Sequence, residues 1–119
     1  EFQILEIYLG MDPDEAASEG ERTDGSVGAK LKEAGDGHWV YSSEEEGNGT
    51  NESGFTALPG GYINYTNGAY YNVGHHGYYW TSTGVGTDAW MRDLYAGSPM
   101  VDRQSSHKDF SFTIRCILD

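Results

Sequence analysis

The candidates for catalytic acid–base or nucleophilic chemistry in this sequence are few. They are the histidines His38, His75, His76 and His107, the acids Glu52, Asp88 and Asp93, and one thiol, Cys116. No nucleophile, base and orienting group stand among them at a spacing that hydrolysis or group transfer would use. Cys116 falls in a stretch that reads as a strand, with no nearby histidine in sequence to draw off its proton. The expectation is a protein that is not an enzyme. His75 and His76 are adjacent, and neighbouring side chains on a strand point to opposite faces, so a zinc site using both is not expected. Oxygen donors are more plentiful: Glu44, Glu45, Glu46, Asn48, Asn51 and Glu52 cluster in one segment. Loop oxygens of this kind suit calcium, although no EF-hand pattern is present. The plainer reading of that segment is a solvated acidic loop, so the expectation is no cofactor, with calcium left open.

Recognition is the better-supported chemistry. Residues 62–107 contain seven tyrosines, interleaved with Asn, Ser, Gly, His and Asp. Tyrosine offers a large contact area for little conformational entropy, and Ser, Gly and Asn offer adaptable hydrogen bonds. Aromatic faces also stack on the apolar faces of sugar rings. The expected contact residues are Tyr65, Tyr71, His75, His76, Asp88, Arg92, Asp93, Tyr95, Asp102, Arg103, Ser105 and His107. Arg92 and Arg103 have an alternative role, pairing structurally with the excess acids. The core is expected to hold Trp39, Trp80 and Trp90 with Phe55, Leu58, Phe112 and Ile114. In Tyr78-Tyr79-Trp80, alternation puts Tyr78 and Trp80 on one face and Tyr79 on the other.

Composition narrows the partners. The chain has 119 residues and a net charge of −12. Residues 1–59 carry fourteen acids and three bases, or −11, whereas residues 60–119 carry five acids and four bases, or −1. So acidic a surface repels phosphate backbones and anionic membranes, which argues against nucleic acid and lipid as partners. No apolar run approaches the roughly 20 residues that a membrane span needs. The length suits one domain over residues 1–119.

The elements that must position the candidate residues change character along the chain. Phe2, Leu5 and Leu9 recur at helical spacing, widened by Ile4 and Tyr8, so residues 1–9 predict a short amphipathic helix. Asp12-Pro13-Asp14-Glu15 predicts a second helix over 13–18, with Asp12 as N-cap, Pro13 at the first position and Glu15 closing a capping box. Residues 20–28 read as loop, and Gly28–Glu33 as a brief strand or turn. Residues 54–63 fit a strand or bend broken by Pro59-Gly60-Gly61. Thereafter short apolar bursts at Tyr78–Thr83, Ala89–Leu94 and Phe110–Ile117 predict strands, the last with Phe110, Phe112, Ile114 and Cys116 on one face. Helices first and an antiparallel meander afterwards indicate an α+β fold with segregated layers.

Several blocks, taken in order, resemble one family. They are Tyr8-Leu9-Gly10-Met11, Gly28-Ala29-Lys30-Leu31-Lys32, His38-Trp39, the run Thr50–Tyr62 (TNESGFTALPGGY), Gly77–Thr83 (GYYWTST), Ala89-Trp90-Met91-Arg92 and Phe112-Thr113-Ile114-Arg115-Cys116. Together they resemble the Fibrobacter succinogenes major paralogous domain, found in secreted and surface proteins of Fibrobacter and Bacteroidetes. The resemblance implies a C-type-lectin-like α+β fold and an extracellular or cell-surface place. It also implies a strand upstream of Glu1 that this chain lacks, and a cysteine there that would pair with Cys116. From these readings the expected function is a display or adhesion module that meets a polysaccharide or protein through its Tyr-rich face. A structural or assembly module, with another chain filling an open strand edge, is the competing expectation. A third is a retroelement-diversified protein. Its variable positions would include Tyr70, Tyr71, His75, His76, Asp88, Asp93, Tyr95, Asp102, Ser105, Ser106, His107 and Asp109; Met91 and Gln104 do not fit that chemistry.

Overall fold

A computed structural model describes residues 1–40, 43 and 47–116. Three short helices lie in the first third of the chain, with one strand between the second and third: α1 (Phe2–Tyr8), α2 (Pro13–Ala17) and α3 (Val27–Leu31). The strands are β1 (Gly20–Arg22), β2 (Tyr62–Ile63), β3 (Tyr70–Tyr71), β4 (His76–Val85), β5 (Asp88–Tyr95) and β6 (Val101–His107). Four of them form an antiparallel sheet in the order β1-β6-β5-β4, and β2 pairs with β3 as a separate ribbon. The architecture is therefore α+β. No helix among the described residues is long and apolar enough to cross a membrane.

The second helix forms where its cap predicts. The Asp12 carboxylate accepts from the Asp14 amide at 2.8 Å, and Pro13 opens α2. The capping box does not close as expected. Glu15 instead accepts from the Thr23 and Asp24 amides at 2.7 and 3.2 Å, tying α2 to the turn before α3. The amphipathic stripe of α1 is also rotated from the expected one. Phe2, Leu5 and Leu9 face inward, but Ile4 lies outside and Tyr8 is 84 % exposed. Glu6 takes the inner position, because two arginines meet it there.

The Gly28–Glu33 stretch begins as helix α3, not as a strand. Its close packing requires glycine: a Cβ on Gly28 would lie 2.1 Å from the Met100 carbonyl oxygen, and the Gly28 amide donates to Pro99 at 2.8 Å. Residues 20–22, read as loop, form β1 against β6. The closing stretch is shorter in order than expected. Residues 110–116 make only isolated bridges, Ser111 with Ile63 and Thr113 with Tyr79. Ile117 lies outside the described residues.

The core consists of Leu9, Met11, Ala16, Val27, Leu31, Trp39, Ala57, Tyr79, Leu94 and Val101. Of the expected core, Trp39 is buried and donates its indole N–H to the Ala57 carbonyl at 2.9 Å. Trp80, Trp90, Phe55 and Phe112 are half-buried, Leu58 is exposed and Ile114 is 72 % exposed. Beside this core lies Lys32, whose ammonium donates to the carbonyls of Gly47, Tyr95 and Ser98 at 2.5–2.7 Å. Its three donors match three acceptors from two separate loops, so one buried cation pins those loops together.

Candidate functional site

Strand alternation sorts the sheet side chains into two faces. Tyr79, Arg92, Leu94, Val101 and Arg103 share the inner face, beneath α1 and the core. His76, Tyr78, Trp80, Asp93, Tyr95, Asp102 and Gln104 share the outer face.

On the inner face the charge is paired. The Glu6 carboxylate accepts from Arg22 at 2.8 and 2.9 Å and from Arg92 at 2.6 and 3.2 Å. Burial alone would raise the pKa of Glu6, but the hydrogen bonds and charges of the two arginines more than reverse that and hold it below the usual carboxylate value. This corrects the expected contact role of Arg92. It is 3 % exposed and belongs to a buried Arg–Glu–Arg triad. Arg103 is likewise committed: its guanidinium lies 4.0 Å over the Trp90 ring and donates to the Ala17 and Ser18 carbonyls. Ser105 stands opposite Trp90 on the same side of the sheet, away from the outer face. A cleft of about 620 Å³ opens between α1 and this side, lined by Phe2, Leu5, Phe55, Trp90, Arg103 and Ile114 among others.

The outer face gathers rings. Tyr71 stacks on Tyr62 at 5.3 Å, Tyr62 meets Phe110 edge-on at 5.5 Å, and Phe110 meets Tyr65 at 5.1 Å. Tyr65 in turn stacks on His107 at 5.6 Å. From Phe110 the series continues through Phe112 to Tyr78 and Trp80, and from Tyr78 through His76 to Tyr95. Local turns set this array. Gly61 has φ +60°, and a Cβ there would lie 2.1 Å from the Tyr71 carbonyl oxygen, so only glycine lets β2 and β3 approach so closely. Asn64 caps its own turn by accepting from the Thr66 amide, and Asn67 donates to the Tyr71 hydroxyl at 2.9 Å.

At the other end of the array the rings adjoin acids. His76 Nδ1 lies 3.1–3.2 Å from both oxygens of Asp93, while Tyr95 Oη and Gln104 Nε2 donate to Asp102 Oδ2 at 3.1 and 2.6 Å. Burial, then the charge of Asp102, pushes Asp93 up to about 8. Burial, then the charges of Asp93 and Asp102, raises the Tyr95 phenol. Burial, then His75, lowers His76.

The structure thus brings Tyr65, Tyr71 and His107 into one exposed aromatic run, with Tyr65 52 % exposed. It brings His76, Asp93, Tyr95 and Asp102 into one polar cluster. Asp93 and Asp102 are buried, which corrects their expected place as surface contacts: Asp93 stands between Tyr78 on β4 and Asp102 on β6, and Asp102 between Asp93 and Glu21 on β1. His75 is exposed beside this cluster, and Asp88 is half-buried opposite His107. Tyr62, Phe110 and Phe112 complete the array and were absent from the expected set. Their ring-rich composition was visible in sequence, but not the adjacency of two segments about 50 residues apart.

Among its described residues, the oxygen-rich loop gives no comparable cluster. Glu44, Glu45 and Glu46 lie outside the described residues. Asn51 is engaged with Thr56 through both its amide nitrogen and its oxygen. No group of three or more His, Cys, Asp or Glu among the described residues is arranged to hold a metal.

Comparison with known proteins supplies the lineage. The family model for the Fibrobacter succinogenes major domain matches residues 1–118. The chain belongs to that family. No curated protein and no solved structure matches it. Within this Fibrobacter major domain, Cys116 is exposed and follows the last described bridge.

Proposed function

We propose that this domain is a non-enzymatic binding module whose outer aromatic face recognises a polysaccharide. The single observation that carries the reading is the exposed run Tyr71, Tyr65 and His107, buttressed from beneath by Tyr62 and Phe110. Rings held at fixed spacing by other rings present preformed faces, and preformed faces bind at a smaller entropic cost. Sugar rings stack on such faces through their C–H groups. Asn67, Asp88 and His75 stand near enough in sequence and register to supply polar contacts at the rim. A C-type-lectin-like fold and an extracellular or cell-surface place, both implied by the family resemblance, agree with this reading. The test is retardation in native gels carrying dissolved polysaccharides. A retarded wild type and an unretarded Tyr65→Ala, Tyr71→Ala double variant are expected; equal mobility of the two in every polysaccharide would refute the reading.

A second reading is favoured by a different observation. Ile4 and Ile114 are each 72 % exposed, and Phe2, Leu5, Phe55, Trp90 and Ile114 line part of the cleft between α1 and the inner face. An assembly module would bury such a surface against another chain. That reading predicts a self-associated state in sedimentation that Ile4→Ser abolishes, and a monomer at all concentrations would exclude self-assembly.

A further inference from the structure

Asp93 on β5 and Asp102 on β6 stand directly opposite each other in the antiparallel register. Directly opposed side chains share a face, with Cβ atoms about 4.5–5.5 Å apart, so the two carboxyl groups are cross-strand neighbours. Both are enclosed: the Asp93 side chain is 4 % exposed and Asp102 is 7 % exposed. Among the described residues, no lysine or arginine pairs with either. Asp102 Oδ2 has two donors, Tyr95 and Gln104, but Asp102 Oδ1 is buried with no partner. Two adjacent buried carboxylates repel, and a buried acceptor without a donor is costly. One proton removes both problems.

We propose that Asp93 and Asp102 share a single structural proton at neutral pH, the Asp93 hydroxyl donating to Asp102 Oδ1, and that its loss in alkaline solution loosens the β5–β6 floor of the aromatic face. The hydrogen bonds then close into one directed set. His76 donates Nδ1–H to the Asp93 carbonyl oxygen, Asp93 donates to Asp102 Oδ1, and Tyr95 and Gln104 donate to Asp102 Oδ2. On deprotonation the proton passes to solvent and leaves two facing carboxylates.

The surrounding groups do not compensate. On β4 the neighbours are His76, Tyr78 and, one residue earlier, His75. On β5 there is Tyr95, on β1 Glu21 stands opposite Asp102, and from β2 Tyr62 faces Tyr78. Burial lowers His76, so the imidazole brings no positive charge in neutral or alkaline solution. Burial pushes Tyr78 up to about 12 and raises Tyr95, so both phenols keep their protons while Asp93 titrates. Glu21 adds negative charge. Arg22 and Arg92 lie on the opposite face, engaged with Glu6.

The sign follows from linkage. The folded chain holds the Asp93 proton more tightly than the unfolded chain, so the contribution is fully present below the ordinary carboxylate pKa of 3.8 and is lost as pH rises towards about 8. The direct test is the ¹³C shift of the Asp93 carboxyl in the labelled native chain, followed from about pH 3 to about pH 10. A midpoint near 8 is expected; a midpoint near 4, the ordinary carboxylate value, overturns the proposal. Urea unfolding of the wild type and Asp93→Asn gives a second readout, because the amide donates to Asp102 Oδ1 with no proton to lose. Wild type should lose stability relative to the variant as pH rises from about 4 to about 8, and parallel profiles overturn the proposal. Neither measurement involves a ligand, so both stand whether or not the recognition reading does.

Discussion

The two faces of one sheet treat buried charge differently. Beneath α1, Glu6 is surrounded by Arg22 and Arg92, which give it four charge-assisted hydrogen bonds of 2.6–3.2 Å. On the other face, Asp93 and Asp102 stand opposite each other with no lysine or arginine paired to them among the described residues, and their hydrogen-bond partners are an imidazole, a phenol and an amide. The inner face closes its charges with counter-ions and leaves little polar potential unspent. The outer face satisfies its acids through neutral donors and keeps rings exposed at its rim. Stability should therefore concentrate on the first face, and recognition on the second.

Glu6→Gln should produce the largest loss. It strands two buried guanidiniums, and removing one member of a buried ion pair typically costs about 3–5 kcal/mol. Urea unfolding at neutral pH measures it. Lys32→Met should come next, at roughly 2–4 kcal/mol, because three buried carbonyls lose a charged donor. Burial lowers the Lys32 pKa to about 8, yet its three carbonyl acceptors favour the ammonium form. Met keeps most of the apolar stem, so the loss reports the donor itself. Both changes belong to the inner, structural side of the comparison. The outer side predicts a contrast: Tyr65→Ala and His107→Ala should each change stability by less than about 1 kcal/mol, since exposed side chains outside the core seldom matter more. A loss as large as that of Glu6→Gln would break the division between the faces.

Part of this arrangement was legible in the residues. The α+β order, the first two helices and the Asp12 cap follow from local patterns, and local patterns are what sequence displays. Strand β6 was harder. Val101-Asp102-Arg103-Gln104-Ser105-Ser106-His107 shows no apolar alternation, because its inward positions include Arg103 stacked on Trp90 and its outward positions include Asp102 in a polar cluster. Conversely, Phe110–Cys116 alternates well yet forms only two isolated bridges, its phenylalanines serving the ring array in place of a sheet core. Glu6 was hidden for a related reason. An acid in an amphipathic helix reads as solvent-facing unless the distant Arg22 and Arg92 are known to converge on it. Within the candidate site, the clustering of tyrosine and histidine marked the right region. The split of Arg92 and Arg103 from Asp93 and Asp102 depends on strand register, and a one-residue change of register would exchange the faces.

The central claim is that the outer rings bind ligand while the inner face only holds them in place. An immobilised-polysaccharide array probed with wild type and with the Tyr65→Ala, Tyr71→Ala, His107→Ala triple variant tests it most directly, with melting temperatures compared in parallel. The account predicts a defined set of bound polysaccharides for wild type, loss of that set by at least about tenfold in the variant, which corresponds to about 1.4 kcal/mol, and little change in melting temperature. Capture that survives the triple substitution, or no capture by wild type, would contradict it.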